Sequence, residues 1–347
     1  MKVLLIKTSS LGDVLHTLPA ITDAVRHVDG LQFDWVVEEA FAEIPGWHRA
    51  VQQVIPVALR RWRRSPITAM KSGEWKQFRR DIRQTRYDLV IDAQGLMKSA
   101  FIASLTRGRR VGLDRHSARE PLASLAYQQS VYVRKGQHAI ERTRQLFARA
   151  FGYEDDVKLP DYQIRGQIQD QSSAKVAANT LVFLHGTTWD TKLWPLDYWR
   201  KLAAIVTSAG YEVSLPWGNE QELRQARQIA ADQQGVSVLP QMNLLEVANV
   251  LADAKGAVAV DSGIGHLAAA LEVPAVSLYG ATNSGLTGTR GKHQSHINAV
   301  FECAPCLSRK CLYKGETQVT PACYASITPE DVWETLLGTM GSEVIRE

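Results

Sequence analysis

The chain has 347 residues, 45% of them hydrophobic and 22% charged, with a formal net charge of +4. Those values describe a soluble globular protein, long enough for two domains of common size. No apolar run approaches the roughly 18 to 20 residues of a membrane span, and the opening "KVLLIK" carries no leader with a cleavage site, so the reading is cytoplasmic.

Short β-rich runs alternate with helical patterns almost from end to end, which predicts an α/β protein with parallel sheets. In the first half the strands are "KVLLIK", "FDWVV", "VQQVIPV", "YDLVIDA" and "RRVGL", with helices over 13–28, 74–86, 97–106 and 138–152. The first strand hands over through Lys7-Thr8-Ser9-Ser10-Leu11-Gly12-Asp13. Gly12 lets the backbone approach a partner closely. A carboxylate at a helix start is favoured by the dipole and by nearby N–H groups, so Asp13 is either a cap, with Ser10, or a positioned general base. The loop has neither the G-x-G-x-x-G nor the G-x4-G-K-[ST] fingerprint, which argues against a Rossmann oxidoreductase.

Positive charge concentrates next, in "LRRWRRSP" with Arg60, Arg61, Arg63 and Arg64, and continues through Lys71, Lys76, Arg79, Arg80, Arg83 and Arg86. Such a run is usually a solvated helix face. Its clustering in one third of the chain otherwise suits one acidic partner, a lipid head group or membrane surface. No nucleic-acid module accompanies it, so nucleic acid is not expected.

Residues 153–179 are polar and break the rhythm, which marks a linker. A second series follows, with strands at "TLVFLHG", "YEVSLPW", "VSVLPQ", "GAVAVD" and "AVSLYG", and helices over 195–209, 219–234, 243–254 and 263–271. Pro195 suits a first helical turn. Two doubly wound domains would place a ligand at the carboxyl ends of their strands.

Three strand ends of this half carry chemistry. In "FLHGTTWDTKLWP", Thr187, Thr188 and Lys192 could cradle a diphosphate, or form a polar loop with an exposed lysine. In "VAVDSGIGHLAAALEVP", Asp261 ends a strand, Ser262 and Gly263 make the turn, and His266 lies in the first helical turn. Gly263 and Gly265 leave N–H groups open to a pyrophosphate. In "SLPWGNEQE" and "LPQMNLLE", Glu222 could accept from a ribose diol, while Trp217 and Met242 read as pocket or core. The four cysteines, Cys303, Cys306, Cys311 and Cys323, are spaced C-x2-C-x4-C-x11-C. They read as reduced thiols, with a zinc site as the alternative. Last, Thr328 and Pro329 open a helix as N-cap and first residue.

Taken together, "KTSSLGDVLHTLPA", "FDWVVEEAFAEIPGWH", "VIPVALRRWRR", "VIDAQGLMKSA", "SAREPLASLAY", "QHAIERTRQLFA", "WPLDYWRKL", "LPWG" and "VDSGIGHLAAAL" resemble the ADP-heptose-dependent lipopolysaccharide heptosyltransferases of glycosyltransferase family 9. The type I members, which add the first inner-core heptose, are the nearest in pattern. The resemblance implies a GT-B fold, with two Rossmann-like domains on either side of the active site. It places an acceptor domain over 1–160, an ADP-heptose domain over 180–325, and a helical tail, 326–347, packed back on the first domain. It implies inverting transfer of L-glycero-D-manno-heptose from ADP-heptose to the Kdo residue of Kdo-lipid A, without metal or other cofactor. The enzyme would work at the cytoplasmic face of an anionic inner membrane, as a peripheral protein.

By matching position, Asp13 resembles the catalytic base. Thr187, Thr188, Lys192, Glu222, Met242, Asp261, Ser262, Gly263 and His266 would hold the donor. Ser10, Gly12, Arg60, Arg61, Arg63, Arg64, Arg119 and Arg142 would meet the acceptor. The family's Asp-Thr-Gly turn is Asp261-Ser262-Gly263 here, which keeps the hydroxyl. The competing readings are a member that adds a later heptose and a non-catalytic nucleotide- or lipid-binding module.

Overall fold

A computed structural model describes residues 1–155, 158–168 and 176–341. The chain divides into two compact units, Met1–Gln163 and Ile164–Glu347. Part of the expected linker, 153–179, lies outside the described residues.

In the first unit β1 (Lys2–Ile6), β2 (Gln32–Glu38), β3 (Val51–Val57), β4 (Arg86–Asp92), β5 (Arg107–Leu113) and β6 (Gln129–Val131) form one sheet in the order β3-β2-β1-β4-β5-β6. Every pairing is parallel. In the second unit β7 (Thr180–Leu184), β8 (Glu212–Leu215), β9 (Val236–Val238), β10 (Gly256–Val260), β11 (Ala275–Tyr279) and β12 (Gln294–Asn298) run in the order β12-β11-β10-β7-β8-β9, again all parallel. Counted within each unit this is one topology used twice. Its strand order reverses between β1 and β4, and between β7 and β10. Open α/β sheets bind ligands at the carboxyl ends of strands at such reversals.

The central strands are apolar on both faces because helices cover both: β7, β10 and β11 are buried throughout. The edge strands β6 and β12, "QSV" and "QSHIN", were not predicted; they are polar and half-covered, so neither shows an apolar run.

The expected helix over 13–28 is two helices, Leu11–Leu15 and Leu18–His27. Pro19 lacks an N–H and sits in the opening turn of the second. Most other predicted helix ends agree within two residues, but 219–234 stops early, at Ala230. Pro195 precedes its helix as N-cap instead of lying in the first turn.

The tail helix, Pro329–Gly341, starts as expected, with Thr328 Oγ1 accepting the Asp331 N–H at 3.2 Å. Its apolar face belongs to the core of the second unit. Val332, Leu336 and Met340 recur at helical spacing and join that unit's core with Leu202, Val258 and Val276. Gly256 makes room, since a Cβ there would stand 3.0 Å from Met340 Sδ. Cys323 is buried in the same core, whereas Cys303, Cys306 and Cys311 are exposed free thiols.

Candidate functional site

The carboxyl end of β1 is tied to that of β4 across the first strand-order reversal. Gln94 does most of this. Its Oε1 accepts the Thr8 N–H at 2.9 Å and the Ser9 N–H at 3.3 Å, and its Nε2 donates to the Ser9 carbonyl at 2.8 Å. Asp92 holds Gln94 in turn, its Oδ1 accepting the Gln94 and Gly95 N–H groups at 2.8 and 3.2 Å. Its Oδ2 accepts from the Tyr127 hydroxyl at 2.7 Å. Asp92 is fully buried, and that burial raises its pKa against the pull of these hydrogen bonds.

Asp13 performs the capping role and leaves one oxygen over. Its Oδ2 accepts from Ser10 N at 2.7 Å and from Ser10 Oγ at 2.9 Å, a capping arrangement on a five-residue helix. Its Oδ1 faces Lys7 Nζ at 3.8 Å, and the side chain is 42% exposed. Lys7 is buried and anchored by a 3.0 Å bond to the Ala93 carbonyl. A half-exposed carboxylate with one oxygen fixed and the other beside a cation can take a proton from a bound hydroxyl.

Sequence reasoning missed Lys7, Gln94 and Lys98. Lys98 Nζ donates to Ser9 Oγ at 3.2 Å. Burial lowers its pKa, opposed by the nearby Glu38 charge and assisted by the positive Arg60 and Arg63. The basic cluster therefore lies within electrostatic reach of the Thr8–Ser10 loop.

Its four arginines are not equivalent. Arg61 is engaged internally, bonded through Nε and Nη2 to both oxygens of Glu39 at 3.1 and 2.9 Å and through Nη1 to Glu74. Arg60 lies over the Phe41 ring at 5.2 Å, and its N–H caps onto Glu38 Oε1 at 2.9 Å. Arg63 and Arg64 are exposed and have no ion pair among the described residues. Arg142 reaches the 114–120 turn, which carries Arg119. Arg142 Nη2 donates to the Ser117 carbonyl at 2.6 Å, while its Nε is buried without a partner. Arg119 is exposed two residues further on.

At the second reversal the loop after β7 is tied to the end of β10, where Thr187 Oγ1 donates to the Asp261 carbonyl at 3.1 Å. Lys192 closes a short turn, Asp190–Lys192, and its Nζ pairs with buried Asp261 Oδ2 at 2.7 Å. Thr282, also missed in the sequence, donates to the same oxygen at 2.5 Å. Trp189 carries two cations, Lys192 at 4.6 Å and Arg309 at 5.2 Å from its ring centre. Thr188 is exposed with no side-chain hydrogen bond among the described residues. Ser262 caps the helix Gly263–Ala270 by accepting from Gly265 N at 3.4 Å, and His266 is buried in its first turn.

A pocket of about 280 Å³ opens beside this turn. It gathers Trp217, Glu222, Met242 and Ser262 of the residues singled out in the sequence, with Val247 and Ile264. Glu222 Oε2 accepts the Gly218 N–H at 2.7 Å. Gly186 permits that position, for a Cβ on it would lie 2.5 Å from Glu222 Cδ. A mostly apolar slot with one carboxylate, next to a helix N-terminus and a lysine, suits a flat base, a ribose and a phosphate chain.

The model of glycosyltransferase family 9 (heptosyltransferase) matches residues 75–316. The chain belongs to that family of enzymes, and its two parallel-sheet units are those of a GT-B fold. It is 51% identical over 343 residues to lipopolysaccharide heptosyltransferase 1 of Pseudomonas aeruginosa, with 96% of each chain covered. It superposes on an Escherichia coli heptosyltransferase solved with ADP with a TM-score of 0.88 at 43% identity, over 98% of this chain and 100% of that one. For the same enzyme with ADP-2-deoxy-2-fluoro heptose the TM-score is 0.83 at 42% identity, over 97% and 99%.

Proposed function

We propose that the enzyme transfers L-glycero-D-manno-heptose from ADP-heptose to the Kdo residue of Kdo-lipid A, inverting the anomeric centre. The observation that carries this reading is the chemistry at the two strand-order reversals, a carboxylate with a spare oxygen on one and a lysine beside a nucleotide-sized pocket on the other. The similarity to heptosyltransferases, one of them solved with a donor analogue, supplies the sugar nucleotide.

In this scheme the pocket takes the adenosine, with Glu222 accepting from the ribose. Lys192, Thr187, Thr188 and the N-terminus of the Ser262-capped helix hold the diphosphate, and Asp261, Gly263 and His266 shape its seat. Asp13 Oδ1 takes the proton of the attacking Kdo hydroxyl as its oxygen bonds to the anomeric carbon. The bond to ADP breaks on the opposite face, hence inversion. Charge growing on the leaving diphosphate is met by Lys192 and the helix N–H groups, and no cofactor enters the scheme. Ser10 and Gly12 border the acceptor, and Arg60, Arg63, Arg64, Arg119 and Arg142 answer its carboxylates and phosphates. Arg61 serves mainly to hold that cluster together. The acceptor is a lipid, so the enzyme works as a peripheral protein on an anionic cytoplasmic leaflet.

The test is mass spectrometry of Kdo-lipid A after incubation with ADP-heptose and the purified protein. A gain of one heptose supports the reading. No gain despite ADP-heptose binding moves the acceptor to an already heptosylated core, and no donor binding overturns the assignment.

A further inference from the structure

One face of the first sheet is covered by the helices Glu74–Gln84 and Met97–Leu105 and by the turn Pro121–Ala126. Their inner residues, among them Phe78, Ile82, Ala100, Ile102 and Ala123, share one core with β1 and β4. The outer side of the same layer is unusual in two respects.

First, it is apolar where solvent reaches it. Met97, Phe101, Leu122 and Leu125 are 47, 55, 64 and 82% exposed, and Ile67, on the preceding helix Pro66–Lys71, is 70% exposed. These are five of the eight exposed large hydrophobic residues described in the first unit, the others being Met1, Tyr132 and Leu159. The turn that carries Leu122 and Leu125 packs against the helix of Met97 and Phe101, and the Phe101 ring stacks on Trp75 of the neighbouring helix at 6.0 Å. Second, it is basic. Lys76, Arg79, Arg80, Arg83 and Arg107 line one shallow groove, and none of them makes an ion pair among the described residues. The neighbouring acids are engaged: Glu74 by Arg61 and Trp62, Asp81 by Gln77, and Glu120 by the Met97 N–H.

We propose that this outer face docks on an anionic phospholipid bilayer, the basic groove lying on the head groups and Leu122, Leu125 and Phe101 entering the interface. The inference rests on the reading of a lipid-borne acceptor and adds the surface that brings the enzyme to it. Charge complementarity selects the occupant. A second copy of the same face would repel it, and a nucleic-acid backbone offers nothing to the exposed leucines. Basic side chains beside apolar ones are the composition that binds charged interfaces. The groove is separate from Arg60, Arg63 and Arg64, so docking and acceptor recognition can be tested apart.

The experiment is flotation of the full-length protein with vesicles of phosphatidylglycerol and phosphatidylethanolamine, against vesicles of phosphatidylcholine alone. The wild type is expected to float with the anionic vesicles only. Leu122→Ser/Leu125→Ser and Arg79→Gln/Arg83→Gln should each lower partitioning at least about tenfold, with unchanged melting temperature. Both variants should keep wild-type kcat/KM on a water-soluble, delipidated Kdo acceptor. Equal flotation of variants and wild type overturns the assigned face, and so does a wild type that ignores anionic vesicles or prefers RNA to them. Failure of the wild type on the soluble acceptor counts instead against the reading of function, because flotation is scored without turnover.

Discussion

The two strand-order reversals are built on one topology, and each sets a lysine beside an aspartate, loosely and half-exposed at the first, tightly and nearly buried at the second. At the first, Gln94 bridges the loops after β1 and β4 with Lys7 and Lys98 beside it, and Asp13, 42% exposed, stands 3.8 Å from Lys7 Nζ. At the second, the loop after β7 meets the end of β10 through a nearly buried ion pair, Lys192 with Asp261. A base must be accessible and free to take a proton, which suits a loop fixed by amide hydrogen bonds. A diphosphate needs a concentrated positive charge, which suits a lysine already held in place. In the proposed scheme the same fold supplies a proton acceptor from one half and an anion seat from the other.

The sharpest break in this comparison is Asp13→Ala. It should lower turnover by about 10²- to 10⁴-fold while ADP affinity, measured by calorimetry, stays unchanged. Equal turnover would remove the base from the first reversal. Lys192→Ala should cut kcat/KM on the order of a hundredfold. It also leaves buried Asp261 without its cation, which should destabilise the protein by about 3 kcal/mol. Denaturant unfolding and steady-state kinetics separate the two effects, and a purely kinetic change would mean the pair is not structural. Gln94→Ala should lower kcat on the order of tenfold with the donor KM unchanged. Gln94→Glu, which keeps the acceptor for Thr8 and Ser9 but opposes the Ser9 carbonyl, should fall between.

A change confined to stability concerns the pH dependence of the first unit. His48 is buried, its Nδ1 accepts the Ala50 N–H, and its Nε2 lies 3.0 Å from Thr22 Oγ1. Burial pushes its pKa down from 6.5 to about 4. Between those values the unfolded chain takes a proton that the folded one refuses, so stability is lost as pH falls through the window, by at most about 3 kcal/mol. Unfolding midpoints against pH should show that slope, and His48→Gln should flatten it.

The central strands and most helices were legible because their apolar periodicity is strong. The edge strands β6 and β12 were not, since an edge needs no continuous apolar run. In the site, Asp13, Lys192 and Asp261 stood out because each lies where a strand passes into the next helix. Gln94 and Lys98 also follow a strand, in "IDAQGLMKSA", but their role lies in contacts to Thr8 and Ser9, 85 or more residues away. The four arginines looked alike as a run. Only Glu39 and Glu74, brought in by folding, distinguish Arg61 from its neighbours.

The Lys192–Asp261 pair also bears on how the proposed cycle resets. The lysine has a counter-ion of its own at 2.7 Å. On the proposed reading, a diphosphate at this turn competes with Asp261 for the lysine, and its net binding energy is smaller by the worth of that ion pair. Such an arrangement trades retention of the product for readiness to accept the next donor.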